Sequence, residues 1–245
     1  MKQHNFILAP CDTDSISFCK EDMSPFSKEE QDSLLKEINE QMPELIKFDH
    51  DGYFKTVIVL KAKNYILDDG EKIKYKGSAI TDQKKEPALI EMIHEMVDVL
   101  LERNHKDTLA EIYNKYIKES QNITDIKRWC TKKAITNAVL NSERTNEFKV
   151  RESLMGENVQ QGDKIWVYSA LNGYKEEITK SGKSKQVQNR ILKLIKNWTN
   201  DEDKEHLLKR VHSTAMILKN VVDENLFIKY HIKKNKPLLD KLLND

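Results

Sequence analysis

The chain has 245 residues, enough for one large or two smaller domains, of which 33% are charged and 7% are aromatic. No apolar run could cross a bilayer, and no basic-then-apolar leader opens the chain. Three cysteines at spacings unlike a zinc site indicate free thiols. Composition therefore argues against a membrane-spanning or disulfide-rich secreted protein and predicts a cytoplasmic one.

The net charge of +1 hides an uneven distribution. Residues 180–245 contain 15 Lys and Arg against 8 Asp and Glu, a surplus of seven, so residues 1–179 carry a net charge of −6. The basic segment has two interpretations: a surface for a polyanion, or ordinary solvated helices.

Residues 6–18 read FILAPCDTDSISF, an apolar strand, a polar turn and a second alternating run, which predicts a β-hairpin. Asp12 and Asp14 lie two residues apart at its tip, where strand geometry would point both carboxylates the same way. Paired carboxylates suit Mg²⁺. The alternative is that both are solvated turn residues, because Asp favours turns.

The sequence Asp12-Thr13-Asp14-Ser15 after an apolar strand resembles the D-T-D-S palm motif of family B DNA polymerases. The resemblance implies that Asp14 is the main catalytic metal ligand from this chain, with Asp12 auxiliary. It also implies a Mg²⁺ pair completed by an Asp outside this chain, and it places Thr13 at the incoming dNTP.

A second run of elements follows the hairpin. Ser27 and Glu30 form a capping box that predicts the start of a helix. Residues 53–60 then predict a strand, with residues 61–67 continuing it, Asp68-Asp69-Gly70 as a hairpin turn and residues 71–76 as the returning strand.

Within this sheet, Lys63-Asn64-Tyr65 resembles the K-x-Y element of family B polymerases, and Lys74-Tyr75-Lys76-Gly77 resembles the K-G element that follows it. The resemblance implies that Lys63 and Tyr65 hold the primer strand near its 3′ end and that Lys74 and Lys76 contact duplex backbone. Ala62 and Asn64 replace basic residues of the consensus, which implies fewer phosphate contacts.

From Pro87, a favourable first helical residue, the pattern becomes helical. Trp129 is expected to anchor packing, and residues 162–168 read as a strand like one found in family B thumbs. One predicted helix begins at Pro87. Further predicted helices cover residues 107–120, 125–141, 185–198, 204–222 and 237–243. The histidines lack zinc-site spacing, and no phosphate loop or nucleophile elbow is present.

The sequence predicts an α+β fold: the C-terminal part of a polymerase palm over residues 1–85 and a mostly helical thumb over residues 86–245. The fingers helix, the exonuclease domain and the other palm Asp motif of the family are missing. The chain therefore resembles the C-terminal part of a family B polymerase, either encoded as a split gene, as would suit a phage, or cut from a longer chain.

The resemblance implies primer-template DNA, dNTP and an N-terminal polymerase piece as partners, with no membrane. If the gene belongs to a phage, the compartment is the host cytoplasm. Two other classes stay open: a non-catalytic DNA-binding replication module and a helical interaction protein.

Overall fold

The structure is a computed structural model that describes residues 6–11, 14–81, 85–103, 107–154, 158–178, 182, 184–223 and 226–227. The chain divides into two compact units, Met1–Thr81 (unit 1) and Asp82–Asp245 (unit 2). Both units contain helices and antiparallel sheets, so the α+β prediction is confirmed. The predicted helix at residues 237–243 lies outside the described residues.

Unit 1 begins with the predicted hairpin. Strands β1 (Phe6–Leu8) and β2 (Phe18–Lys20) pair antiparallel, with Leu8 opposite Phe18. The pairing continues past the strand ends toward the connecting loop, where the Ala9 amide donates to the Ser17 carbonyl at 2.8 Å. Asp14 and Ser15 of the D-T-D-S motif therefore lie between the two strands, and Asp12 and Thr13 lie outside the described residues.

Helix α1 (Lys28–Glu40) is joined to this hairpin by charge and by aromatic rings. Its capping box is present as predicted, with Ser27 and Glu30 each accepting from the other's backbone amide. Lys20 on β2 donates to both Glu30 carboxylate oxygens, at 2.7 and 2.9 Å. The rings of Phe6, Phe18 and Phe26 lie within 5.2–5.9 Å of one another.

The second sheet of unit 1 has the order β3-β4-β5, all antiparallel. Its strands are β3 (Thr56–Lys61), β4 (Asn64–Asp68) and β5 (Ile73–Lys76), followed by the one-turn helix α2 (Ser78–Thr81). The turn predicted at residues 68–70 is confirmed. The prediction that residues 61–67 continue the first strand is wrong, because the chain reverses at Ala62 and Lys63 and Lys61 pairs with Asn64.

Unit 2 contains a helical part built from α3 (Pro87–Leu100), α4 (Leu109–Gln121) and α7 (Lys204–Ala215), which pack on one another. Pro87 occupies the first turn of α3 as predicted. Trp129 is buried, which confirms it as a packing anchor. No helix within the described residues is long and apolar enough to cross a membrane.

The rest of unit 2 is a sheet of order β6-β7-β8, from β6 (Thr131–Ala134), β7 (Lys164–Ile178) and β8 (Ser184–Leu194). The small helices α5 (Asn137–Asn141) and α6 (Asn146–Leu154) lie between β6 and β7, and α6 packs on β8. The strand predicted at residues 162–168 is confirmed and is longer than expected. Seven apolar side chains form one buried cluster here: Ile135, Val139, Val150, Val159, Ile165, Val167 and Leu194.

Two helix predictions in unit 2 are wrong. Residues 125–141 form a 3-10 turn at Ile126–Trp129, strand β6 and only then a short helix. Residues 185–198 are mostly strand β8, although Val187, Ile191 and Leu194 recur at helical spacing. In both segments, pairing with β7 overrides the local pattern. The partner of β6 is distant in sequence and leaves no local signal, whereas β8 directly follows β7 and is obscured by the helical spacing of its apolar residues.

Candidate nucleic-acid and metal site

Asp14 lies in the loop of the β1–β2 hairpin, and its side chain is exposed to solvent. Asp12 and Thr13 lie outside the described residues, so the expected convergence of the two carboxylates stays a prediction. The donor chemistry of Asp14 fits Mg²⁺, which binds carboxylate oxygen. Among the residues described, no three His, Cys, Asp or Glu side chains gather closely enough to hold a metal ion.

Three of the four predicted DNA-binding residues share one face of the β3-β4-β5 sheet. Tyr65 on β4 is directly opposite Lys76 on β5, and Leu67 is opposite Lys74. Because paired residues point to the same side of a sheet and alternate residues do too, Tyr65, Lys74 and Lys76 all project from this face. The structure thus assembles these side chains from two strands separated by a hairpin turn.

This face is partly apolar and partly cationic. Val59, opposite Tyr65, is 43% exposed, while Tyr65 is half-buried and both lysines are exposed. The Lys74 ammonium lies 5.3 Å from the centre of the Phe54 ring, a cation–π contact that orients its side chain. A ring and an aliphatic side chain beside two ammonium groups can contact sugar and phosphate without reading a base.

The β4–β5 turn that positions Lys74 is stabilised by Asp69. Its carboxylate accepts from the backbone amides of Lys72 at 2.7 Å and Glu71 at 2.9 Å. These backbone hydrogen bonds hold the pKa of Asp69 below its usual value, and the bond from Lys72 has the largest effect. The ionised carboxylate is therefore the form that stabilises this turn.

Lys63, the fourth predicted DNA-binding residue, lies in the β3–β4 turn and not on a strand, which corrects the placement of the K-x-Y element. Its φ angle is +58°, a left-handed conformation that is uncommon for a residue other than glycine. The Lys63 carbonyl lies against Gly77, the residue that follows Lys76 in the sequence. Lys63 is therefore at the same end of the sheet as Lys76.

Sequence reasoning missed Asn64, which connects these parts. Its side chain is 6% exposed and hydrogen-bonds both the Ala62 carbonyl and the Ala79 amide. The available signal was its position between Lys63 and Tyr65, where the polymerase consensus is basic. An amide there is a change of chemistry, not only a lost charge.

Many basic side chains of residues 180–245 contact acidic partners. Arg190 pairs with Asp203, Lys193 with Asp201, and Arg210 with Glu86. Asp203 and Glu86 are almost fully buried. In this part of unit 2, a share of the positive surplus therefore stabilises the fold and is not displayed as free charge.

The comparisons with known proteins show a similarity of fold and none of sequence family. No protein-family model matches the sequence, and no curated protein matches it. The fold of this chain is similar to part of a family B DNA polymerase. The solved polymerase comes from the hyperthermophilic archaeon Pyrobaculum calidifontis, with a TM-score of 0.51 and 17% sequence identity over 94% of this chain. This chain spans 28% of that polymerase chain.

Proposed function

We propose that this protein is the C-terminal palm and thumb part of a family B DNA-directed DNA polymerase, with the palm in residues 1–85 and the thumb in residues 86–245. The observation that carries the proposal is the fold similarity over 94% of the chain. The D-T-D-S, K-x-Y and K-G elements support it, because they occur in family order along the chain.

The proposed reaction is template-directed nucleotidyl transfer. The primer 3′-hydroxyl loses its proton to solvent and attacks the α-phosphate of a dNTP. A new phosphodiester bond forms as the bond between the α- and β-phosphates breaks, and pyrophosphate leaves. Asp14 is the principal metal ligand of this chain, Asp12 is auxiliary, and Thr13 contacts the incoming nucleotide. Bound Mg²⁺ would favour the attacking hydroxylate and neutralise charge on the leaving phosphate.

The proposed DNA contacts lie on the β3-β4-β5 sheet. Lys63 and Tyr65 hold the primer strand near its 3′ end, and Lys74 and Lys76 contact backbone phosphates. The support is the common face of Tyr65, Lys74 and Lys76. Binding of this type is independent of sequence and sensitive to salt, because it neutralises phosphates.

A further part of the polymerase, carrying the exonuclease domain, the fingers and the rest of the palm, completes the proposed enzyme. Eight of the twelve large apolar side chains that are exposed within the described residues belong to unit 1, namely Ile7, Leu8, Ile16, Met23, Leu45, Ile46, Tyr53 and Val59. Exposed apolar side chains mark an interface where they form a contiguous patch, and these residues of unit 1 are the ones available for the proposed contact. The proposed compartment is the cytoplasm, that of the host if the gene belongs to a phage.

A primer-extension assay tests this function. The 245-residue chain is incubated with primer-template, dNTPs and Mg²⁺, alone and after co-expression with a polypeptide that carries the other palm Asp motif and the fingers helix of the family. We expect synthesis only in the complex. Robust synthesis by the chain alone would contradict the need for a partner.

Measuring primer-template binding beside primer extension separates the two other classes. A non-catalytic DNA-binding module would bind primer-template in the complex without extending it. A helical interaction protein would show neither binding nor extension, and either result would overturn the polymerase proposal.

A further inference from the structure

We propose that Asn64 and Gly77 act together as a positioning pair for Lys63, holding its ammonium group at the end of the sheet where Lys76 also lies. The inference rests on the proposed contact between Lys63 and the primer strand. It adds two residues that do not touch DNA and explains why an asparagine follows Lys63.

The Asn64 side chain uses both of its polar groups on backbone. Its Nδ2 donates to the Ala62 carbonyl at 2.8 Å, inside the turn that presents Lys63. Its Oδ1 accepts from the Ala79 amide at 2.8 Å, in the first turn of α2. One buried amide therefore ties the Lys63 turn to the segment that follows Lys76.

Gly77 is required by the same arrangement. Its φ is +96°, and a Cβ placed there would lie 2.2 Å from the Lys63 carbonyl oxygen and 2.5 Å from Asn64 Oδ1. Any larger residue would push the turn and the amide apart. The Gly77 carbonyl also accepts from the amides of Ile80 and Thr81 at 3.1 Å, so Gly77 stands at the start of α2.

Gly77 and Asn64 together form the start of α2. Helix starts are usually capped by a side-chain oxygen, and glycine has none. Asn64 provides that oxygen from the neighbouring strand. A lysine or arginine, as in the polymerase consensus, carries only donors and could not accept from Ala79. The departure from the consensus at position 64 therefore follows from the local hydrogen bonding.

The conformation of Lys63 indicates why such a pair is useful. A left-handed φ of +58° costs a lysine free energy that glycine or asparagine would largely avoid. Backbone strain of this kind persists where the surroundings over-determine it, often at functional sites. The pair formed by Asn64 and Gly77 supplies that constraint. It holds the Lys63 side chain in position despite the strain in its backbone.

The test is a double-mutant cycle in primer-template binding, followed by fluorescence anisotropy over a range of salt concentrations. It uses the full chain, or the assembled complex if the chain alone is insoluble. Lys63→Ala should reduce the slope of log affinity against log salt by about 0.9, the value for one phosphate contact. Asn64→Ala should produce a similar reduction, and the double variant should lose little more.

The matched control is Asn39→Ala. The Asn39 side chain also makes two backbone hydrogen bonds in unit 1, both with Phe48, at 2.7 and 2.9 Å. Its loss should lower the melting temperature without changing the salt slope. Asn64→Gln keeps an uncharged donor and acceptor but displaces both by one methylene group, so it should give an intermediate slope, and it carries the test if Asn64→Ala does not fold.

The outcomes distinguish this inference from the proposed function. If Lys63→Ala changes the slope but Asn64→Ala and Asn64→Gln keep the wild-type value, Asn64 is merely structural and the inference is overturned. If neither Lys63→Ala nor Tyr65→Ala affects binding, the proposed primer contact itself fails, and the inference fails with it. Gly77→Ala should reproduce the Asn64→Ala slope.

Discussion

Units 1 and 2 differ in how completely each covers its own apolar surface. In unit 2, the 14-residue helix α3 has six buried residues, and Trp129, Tyr113 and Tyr116 are among the largest fully buried side chains of the structure. In unit 1, the 13-residue helix α1 has none. Leu45 of unit 1 is 97% exposed, more than any other large apolar side chain of the described residues.

This difference bears on function, because the less complete unit carries the proposed chemistry. Asp14 and the sheet face that holds Tyr65, Lys74 and Lys76, here called the lysine face, belong to unit 1. The buried apolar residues of unit 1 are few, including Leu60, Ile66 and Ile80. A small unit with exposed apolar surface usually needs an additional element to be stable. The proposed polymerase piece would supply that element and the missing carboxylate together.

The largest expected effect is on the core of unit 2. Trp129 is 2% exposed, and its Nε1 donates to Glu119 at 3.1 Å. Trp129→Ala should lower the free energy of unfolding by about 3–5 kcal/mol through the cavity and the lost hydrogen bond. Chemical denaturation measures this change in the free energy of unfolding.

Leu45→Ala is the matched variant in unit 1. Because Leu45 is 97% exposed, its truncation should change the stability of the isolated chain by less than about 0.5 kcal/mol. Equal losses for the two variants would remove the contrast between the units.

The next effect concerns catalysis in unit 1. Asp14 is exposed, so Asp14→Ala should leave the melting temperature unchanged while reducing primer extension by the assembled enzyme at least about a hundredfold, the scale of losing one electrostatic group from an active site. Asp12→Ala should leave a measurable remainder. Steady-state primer extension in Mg²⁺ gives both values.

Glu21→Ala is the control for these variants, since Glu21 is an exposed carboxylate just after β2. It should extend primers at the wild-type rate. Equal, modest losses for Asp12→Ala and Asp14→Ala would contradict the assigned roles, and unchanged activity in both would remove the site.

Cysteine reactivity offers a third comparison. Cys130 of unit 2 is 1% exposed, and burial raises its pKa from 9.0 to about 11. Because only the thiolate reacts, the raised pKa alone should slow alkylation near pH 8 by about a hundredfold. Cys11 of unit 1 is exposed. Mass spectrometry after timed iodoacetamide treatment should find Cys11 modified first.

In denaturant the two cysteines should react at similar rates, which provides the control. Rapid modification of Cys130 in the native chain would mean that unit 2 opens readily. That result would contradict the well-buried core on which the comparison of the units depends.

What the sequence predicts well is specified locally. The Ser27 and Glu30 capping box, the start of α3 at Pro87 and the turn at residues 68–70 depend on neighbouring residues, and all three are confirmed. Strand β6 pairs with β7, which is distant in sequence, and strand β8 follows β7 directly but has apolar residues at helical spacing, so both segments resemble helices in the sequence.

The candidate site shows the same division. The motif residues Tyr65, Lys74 and Lys76 could be named from the sequence, and strand alternation suffices to place them on one face once the register is known. The turn at Lys63 could not be foreseen, because neither Ala62 nor Lys63 is a usual turn residue. The role of Asn64 depends on its contact with Ala79, fifteen residues away.

The smallest expected effect separates stability from function at one residue. Lys63→Gly relieves the left-handed backbone at φ +58°, so the free energy of unfolding should rise by up to about 1 kcal/mol. The same variant removes a proposed phosphate contact. Affinity for primer-template should fall by up to about fivefold, because an exposed ion pair is worth at most about 1 kcal/mol.

Met23→Gly is the matched control, because Met23 has the same φ of +58° in unit 1 and is 68% exposed outside the lysine face. It should gain stability as Lys63→Gly does while binding primer-template with wild-type affinity and salt slope. If Lys63→Gly gained stability and bound DNA as tightly as the wild type, the strained lysine would have no role in binding. If both variants lost stability, neither turn would be strained in the sense argued from its backbone angle.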